Sequence, residues 1–183
     1  MKTRTPVAAR RGALAWLAGG LGAALGMPSA QAQSSVAPGD DRAAALPKRG
    51  TALALAEVSM LDGSTFRPAQ AEGQVLVLYW WASWCPFCAV QSPMMDKLWR
   101  EQRGRGLKML ALSIDRRPED ASAYLARRGF VFPSGHVTPA VAQALPKPKG
   151  LPVTLVRGRD GKVLLAEAGQ LFPEDVEAIA DFL

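Results

Sequence analysis

The sequence predicts an α/β fold: a central mixed β-sheet flanked by helices, with a β-hairpin added at its N-terminal side. Three observations carry this expectation. A continuous apolar and aromatic run, Val75 to Trp81, has the character of a strand covered on both faces, and Leu107 to Ile114 reads as a second buried strand. Helical periodicity follows each run, the alternation that sets parallel strands beneath packed helices. The last third changes pattern: residues 153–157 and 163–168 flank the turn sequence Arg159-Asp160-Gly161, ahead of a closing amphipathic segment.

The first residues set an address rather than a fold. Lys2, Arg4, Arg10 and Arg11 precede an apolar stretch from Gly12 to Met27, followed by Pro28-Ser29-Ala30-Gln31-Ala32. A basic start, a short apolar middle and a small-residue exit are the parts of a secretory signal peptide, assigned to residues 1–32. The apolar stretch is short and rich in Gly and Ala for a membrane span, so an uncleaved anchor is the weaker alternative. Arg10-Arg11 is compatible with twin-arginine export as well as with the general route. The net charge of +6 belongs mostly to this segment, because cleavage after Ala32 leaves 18 basic residues against 16 acidic ones. Nothing in that balance points to nucleic acid. The chain is thus expected in the periplasm.

Residues 33–50, rich in Ala, Ser, Pro, Gly and Asp, read as a flexible lead-in, and 51–183 as the folded domain. Within it, the alternation from Leu53 to Met60, the Asp62-Gly63 turn and Thr65-Phe66-Arg67 predict a hairpin. After the first buried strand, Pro86 suits the opening turn of a helix. Val90, Met94, Leu98 and Trp99 recur at helical spacing, and Gly104 and Gly106 end the pattern. Pro93 falls inside this helix and is expected to kink it. Pro118-Glu119-Asp120 opens a second helix running to about Arg128, with acids in its first turn. Phe130-Val131-Phe132 reads as short and extended, and Thr138-Pro139 as the start of a small helix ending near Leu145. Pro173 to Leu183 is the closing helix.

The chain has two cysteines, three positions apart, at the junction of a buried strand and a helix: Trp84-Cys85-Pro86-Phe87-Cys88. A disulfide closing so short a loop removes little chain entropy, so the spacing points to reactivity rather than to a structural staple. Disulfide exchange needs a thiolate, and the unpaired N–H groups at a helix N-terminus favour the anion on the first cysteine. Cys85 is accordingly expected to be the exposed attacking thiol. Cys88, one turn on, is expected to be the more buried resolving thiol. The disulfide itself carries the electrons, so no cofactor or metal is expected.

The run Val77-Leu78-Tyr79-Trp80-Trp81-Ala82-Ser83-Trp84-Cys85-Pro86-Phe87-Cys88 resembles the active-site strand and loop of thioredoxin-like proteins. With the N-terminal hairpin and the Asp160-Gly161 turn, the chain from about Thr51 to Leu183 is most similar to the exported TlpA/ResA-type branch. The resemblance implies a thioredoxin fold and a thiol–disulfide oxidoreductase, most simply a disulfide reductase. Implied partners are protein substrates, such as apocytochrome c or a copper-site cysteine pair, and a membrane thiol–disulfide reductant that donates electrons. A monomer is expected. An oxidant or isomerase, and a copper metallochaperone using the same cysteines, are the alternatives, since Pro86-Phe87 does not fix the potential.

The resemblance extends to other positions. Pro93, five residues after Cys88, matches the family's helix-kinking proline. Gly150-Leu151-Pro152-Val153-Thr154 looks like its cis-proline loop, in which Leu151 and Pro152 would face the disulfide and offer backbone groups to an extended substrate. Three departures concern proton transfer. The acidic residue often found six positions before the first cysteine is Tyr79 here, the partner lysine of some relatives aligns with Ala111, and the glutamate after the second cysteine is Gln91. A phenol with a reference pKa near 10 is no efficient base at neutral pH, so the sequence names no general base.

Trp81 is read as packing at the strand end, and Trp84, Pro86 and Phe87 as surface that meets a partner. His136, the sole histidine, is read as a loop residue rather than a ligand. Arg103, Arg105, Arg116, Arg117, Arg127 and Arg128 are read as a solvated surface. The roles given to the two cysteines predict opposite phenotypes. Cys85→Ser should abolish exchange, whereas Cys88→Ser should accumulate mixed disulfides visible on non-reducing gels. Capture by Cys85→Ser alone would reverse the assignment.

Overall fold

The computed structural model describes residues 43–183. The expected signal peptide and the lead-in up to residue 42 lie outside the described residues. Within the described part, the end of the lead-in is tied to the body rather than free of it. Ala44 N–H donates to Lys147 O at 3.2 Å and Gly50 N–H to Val163 O at 2.8 Å.

The hairpin strands β1 (Val58–Ser59) and β2 (Thr65–Phe66) are antiparallel and shorter than the alternation suggested. Asp62 closes the turn, its Oδ1 accepting from Ser64 N–H at 2.9 Å and from Ser64 Oγ at 2.6 Å. The main sheet contains β3 (Val75–Trp81), β4 (Leu107–Ser113), β5 (Ser134–His136), β6 (Val153–Arg157) and β7 (Val163–Ala168). Their spatial order is β5-β4-β3-β6-β7; β3, β4 and β5 run parallel, and β6 and β7 are antiparallel to their neighbours. This is the mixed sheet expected from two strand–helix units followed by a hairpin.

Strand β3 is central and every one of its residues is buried, which its uninterrupted apolar sequence requires. Its alternate side chains enter two cores. Val75, Val77, Tyr79 and Trp81 face the cluster containing both cysteines, with Met95 and Leu98 of α1 (Pro86–Gln102) and Val176 of α4 (Pro173–Ala178). Leu76, Leu78 and Trp80 face the other cluster, with Val58 and Phe66 of the hairpin and Val141 of α3 (Pro139–Ala144). Helix α2 (Pro118–Arg128) adds Ala121 and Tyr124 to the first core. The hairpin lies so close to β5 that a Cβ on Gly135 would meet Val58 Cγ1 at 2.5 Å and Ser59 O at 3.0 Å.

Helix α1 continues through Pro93. Three local expectations need correction. The inward face of α1 is not the apolar stripe read from spacing: Val90 is exposed, while Gln91, Ser92 and Asp96 are buried with Cys88, Met95 and Leu98. These polar groups go inward because each finds hydrogen-bond partners there. The extended segment after α2 is β5 rather than Phe130–Phe132. Phe132 instead sets its ring edge-on to Tyr79 and Trp81, at 6.1 and 6.0 Å between centroids. The closing helix is α4 followed by a 3-10 turn, Ile179–Phe182.

Asp96 shows what a buried carboxylate does in this helix. Its Oδ1 accepts from Val131 N–H at 2.6 Å and Phe132 N–H at 3.2 Å, and its Oδ2 takes the Arg100 guanidinium at 2.6 Å. Asp96→Ala leaves two backbone donors without partners at a largely buried site. It should lower the unfolding free energy by about 2–3 kcal/mol in urea titration at pH 7. A change within about 0.5 kcal/mol would show that water satisfies those donors.

Candidate active site

The carboxyl ends of β3 and β4 position the site. β3 ends at Trp81, the chain turns through Ala82-Ser83-Trp84, and α1 starts at Pro86 with Cys85 as its N-cap. Cys85 Sγ accepts from Cys88 N–H at 3.1 Å, and Ala89 N–H donates to Cys85 O at 3.0 Å as the helix begins. Sulfur therefore takes the place of the oxygen that normally caps a helix. A negative charge on it meets an aimed N–H and the positive end of a 17-residue helix.

Cys85 and Cys88 are joined as a disulfide, with Cα atoms 5.2 Å apart. The exposed sulfur expected at Cys85 is not seen: in the disulfide Cys85 is 4% exposed and Cys88 1%, so both sulfurs are covered. The exposed groups are its neighbours: Trp84 at 64%, Phe87 at 59%, and Pro86. Trp81, by contrast, is fully buried. Its Nε1–H donates to Ser134 Oγ at 3.0 Å and its ring lies 5.6 Å from that of Tyr124.

The Leu151–Pro152 peptide bond is cis. Leu151 packs against the cluster that holds both cysteines. Lys147 braces the preceding loop, its Nζ donating to Pro148 O at 2.7 Å and Gly150 O at 2.8 Å. Gly169 N–H donates to Pro152 O at 2.8 Å.

Gln91, fully buried one turn below Cys88, joins these parts. Its amide nitrogen donates to Thr154 Oγ1 at 2.9 Å and its carbonyl accepts from Leu171 N–H at 2.8 Å. The helix bearing the cysteines is thereby tied to the strand after Pro152 and to the loop before α4. A glutamine suits this place because one neutral group both donates and accepts. No local pattern marks those partners. Pro93, two residues on, is exposed.

Tyr79 lies in the core with its hydroxyl 3.0 Å from Ser92 Oγ. Burial pushes its phenol well above the usual tyrosine range, outweighing the Ser92 hydrogen bond, so it holds its proton at any working pH. Ala111 pairs with Tyr79 across β3 and β4 and contributes no polar side chain. His136 ends β5, and its Nε2–H donates to Asp115 O at 2.7 Å. Among the described residues no three His, Cys, Asp or Glu side chains converge as a metal site, and no helix is long and apolar enough to cross a membrane.

Sequence reasoning missed Asp115 altogether. This carboxylate, 4% exposed just beyond β4, accepts from Ser83 N–H at 3.1 and 3.2 Å, from Ser83 Oγ at 2.6 Å and from Ser113 Oγ at 2.7 Å. The only signal was the aspartate closing Ser113-Ile114-Asp115 after an apolar strand, which marks a strand end and no more.

Residues 50–164, more than half of the chain, match the AhpC/TSA family. The chain is 26% identical over 103 residues to the thiol-disulfide oxidoreductase ResA of Oceanobacillus iheyensis, covering 56% of this chain and 54% of that protein. It thus spans about half the length of that relative. It is 33% identical over 120 residues to the chloroplastic M-type thioredoxin of Chlamydomonas reinhardtii, covering 63% and 83%. The crystal structure of a thioredoxin-family thiol:disulfide interchange protein from Chlorobium tepidum superposes with a TM-score of 0.67 at 21% identity, covering 74% of this chain and 97% of that one. The resemblance read from the cysteine loop and the fold class read from the strand pattern both hold. With its mixed five-stranded sheet and a cysteine pair opening the helix after the central strand, the chain belongs to the AhpC/TSA family and is one of the thioredoxin-like proteins.

Proposed function

We propose that this chain is an exported thiol–disulfide oxidoreductase that reduces disulfides in protein substrates of the periplasm. The observation that carries the reading is the capping of α1 by Cys85 sulfur, with Cys88 N–H aimed at it at 3.1 Å. That contact lowers the cost of the thiolate, the species that attacks a disulfide.

In the reduced protein, Cys85 thiolate attacks one sulfur of a substrate disulfide. The substrate S–S bond breaks, a mixed disulfide forms, and the departing substrate thiolate takes up a proton. Cys88 then loses its proton to water and attacks Cys85 sulfur. The second substrate thiolate leaves and is protonated, and the Cys85–Cys88 disulfide remains. Two electrons have passed to the substrate, and a dithiol donor at the membrane returns two. Neither Tyr79 nor Gln91 moves a proton in this scheme, which makes the second step the slower one as pH falls. The substrate strand lies along Leu151, whose backbone groups pair with it as an added strand. Trp84 and Phe87 cover the flanking residues. Apocytochrome c and copper-site cysteine pairs are substrates of the right chemistry, each presenting two cysteines on an open chain. The signal-peptide pattern of residues 1–32 supports the location.

Equilibration with glutathione should place the Cys85–Cys88 couple near the reducing end of its relatives, about −270 mV. A value near the strongly oxidising end, about −120 mV, would overturn the direction. Gln91→Ala deprives Leu171 N–H and Thr154 Oγ1 of partners in a dry interior. It should lower stability by about 2–3 kcal/mol in urea unfolding, and slow insulin reduction even well below the new midpoint. Unchanged stability would remove Gln91 from the framework of the site.

A further inference from the structure

We infer that Asp115 is a positioning residue for Cys85, acting through Ser83. The inference rests on the reading of Cys85 as the attacking thiol. Ser83 lies two residues before Cys85, in the short turn between β3 and α1 that the hydrogen bond from Cys85 N–H to Ala82 O closes at 3.2 Å. Asp115 adds a restraint on Ser83 itself. Its carboxylate takes the backbone N–H of Ser83 at 3.1 and 3.2 Å and the hydroxyl at 2.6 Å, so both the main chain and the side chain of one residue are held by one anion.

Asp115 is itself held from two sides. Ser113 Oγ donates to its carboxylate at 2.7 Å and accepts from its N–H at 3.1 Å. His136 Nε2–H donates to its carbonyl at 2.7 Å. The ends of β4 and β5 thus form a polar brace that reaches the turn ahead of the cysteine. Ile114 N–H, in between, donates to Trp81 O at 3.0 Å and closes the brace onto β3.

The consequence is geometric. Cys85 sulfur gains from the helix only while it stays within reach of Cys88 N–H, and hydrogen bonds weaken steeply with misalignment. A turn free to shift would lose that alignment for part of the time. The thiol would then titrate closer to an unperturbed cysteine. Asp115 touches neither substrate nor sulfur; it works by limiting where the turn can go.

Ser83 variants test this without altering charge. In a Cys88→Ser background, where Cys85 is the sole thiol, the rate of alkylation by iodoacetamide against pH reports the Cys85 thiolate directly. Ser83→Ala should shift the profile to higher pH and lower the rate at pH 7 about three- to tenfold. Ser83→Thr, which keeps the hydroxyl, should stay within about twofold of the parent. In an Asp115→Asn protein that retains its fold by circular dichroism, Ser83→Ala should have little further effect, because the two residues act as one unit. An unshifted profile in Ser83→Ala, even with a lower melting temperature, would make the brace purely structural and overturn the inference. Equal slowing by Ala and Thr, or additive effects in the Asp115→Asn background, would overturn it as well. Alkylation needs no protein disulfide. A parent that alkylates rapidly but reduces no substrate would therefore sink the proposed reaction while leaving this inference standing.

Discussion

One contact governs the site: a backbone N–H in the first turn of α1 pointing at the sulfur that caps the helix. Helix starts always expose N–H groups that need acceptors, and usually a serine, threonine or aspartate oxygen answers. Here the acceptor is the sulfur that the proposed reaction uses. The demand of the fold for a cap and the demand of the chemistry for a stabilised anion are met by the same hydrogen bond. This is why the cysteine must stand at the junction of strand and helix and nowhere else in the motif.

Everything around that contact keeps it in register. Strand β3, buried on both faces, fixes the direction from which the chain arrives. Gln91 holds the helix to β6 and to the loop before α4, so that Pro152 and Cys88 are parts of one framework rather than of two elements free to slide. Asp96 fastens the same helix to the backbone leading into β5. The inner face of α1 is therefore held as much by directed polar contacts as by apolar packing. Directed contacts specify a single position, where packing alone tolerates several.

How much of this was legible in the sequence follows from how far apart the interacting residues lie. β3 and β4 could be read because a continuous or largely apolar run needs no partner to be recognised, and the cysteine pair because both members and their helix fall within a few residues. Helix α1 itself was legible, but its buried face was not. Spacing rules sort residues by hydropathy, and they do not mark Gln91, Ser92 and Asp96 as buried. Their partners are 63 and 80 residues away for Gln91 and 35 and 36 for Asp96, and no local pattern encodes them. The density of aromatics at Phe130 and Phe132 imitated a strand, because the apolar content that fills an aromatic cluster looks the same as that of a buried ladder. Proline 152 was marked only through family resemblance, since a single X–Pro pair carries no sign of its isomer.

The covering of both sulfurs has a bearing on selectivity. Almost none of the disulfide surface is open, while Trp84, Pro86 and Phe87 stand proud on either side of it. A small thiol arriving from solvent gains little footing there and meets a shielded bond. An extended polypeptide can lay its length across the aromatic shoulders and recover burial energy as it approaches, roughly 25 cal/mol for each Å² of apolar surface covered. Discrimination between a metabolite and a protein would then rest on footprint rather than on any difference in the sulfur chemistry.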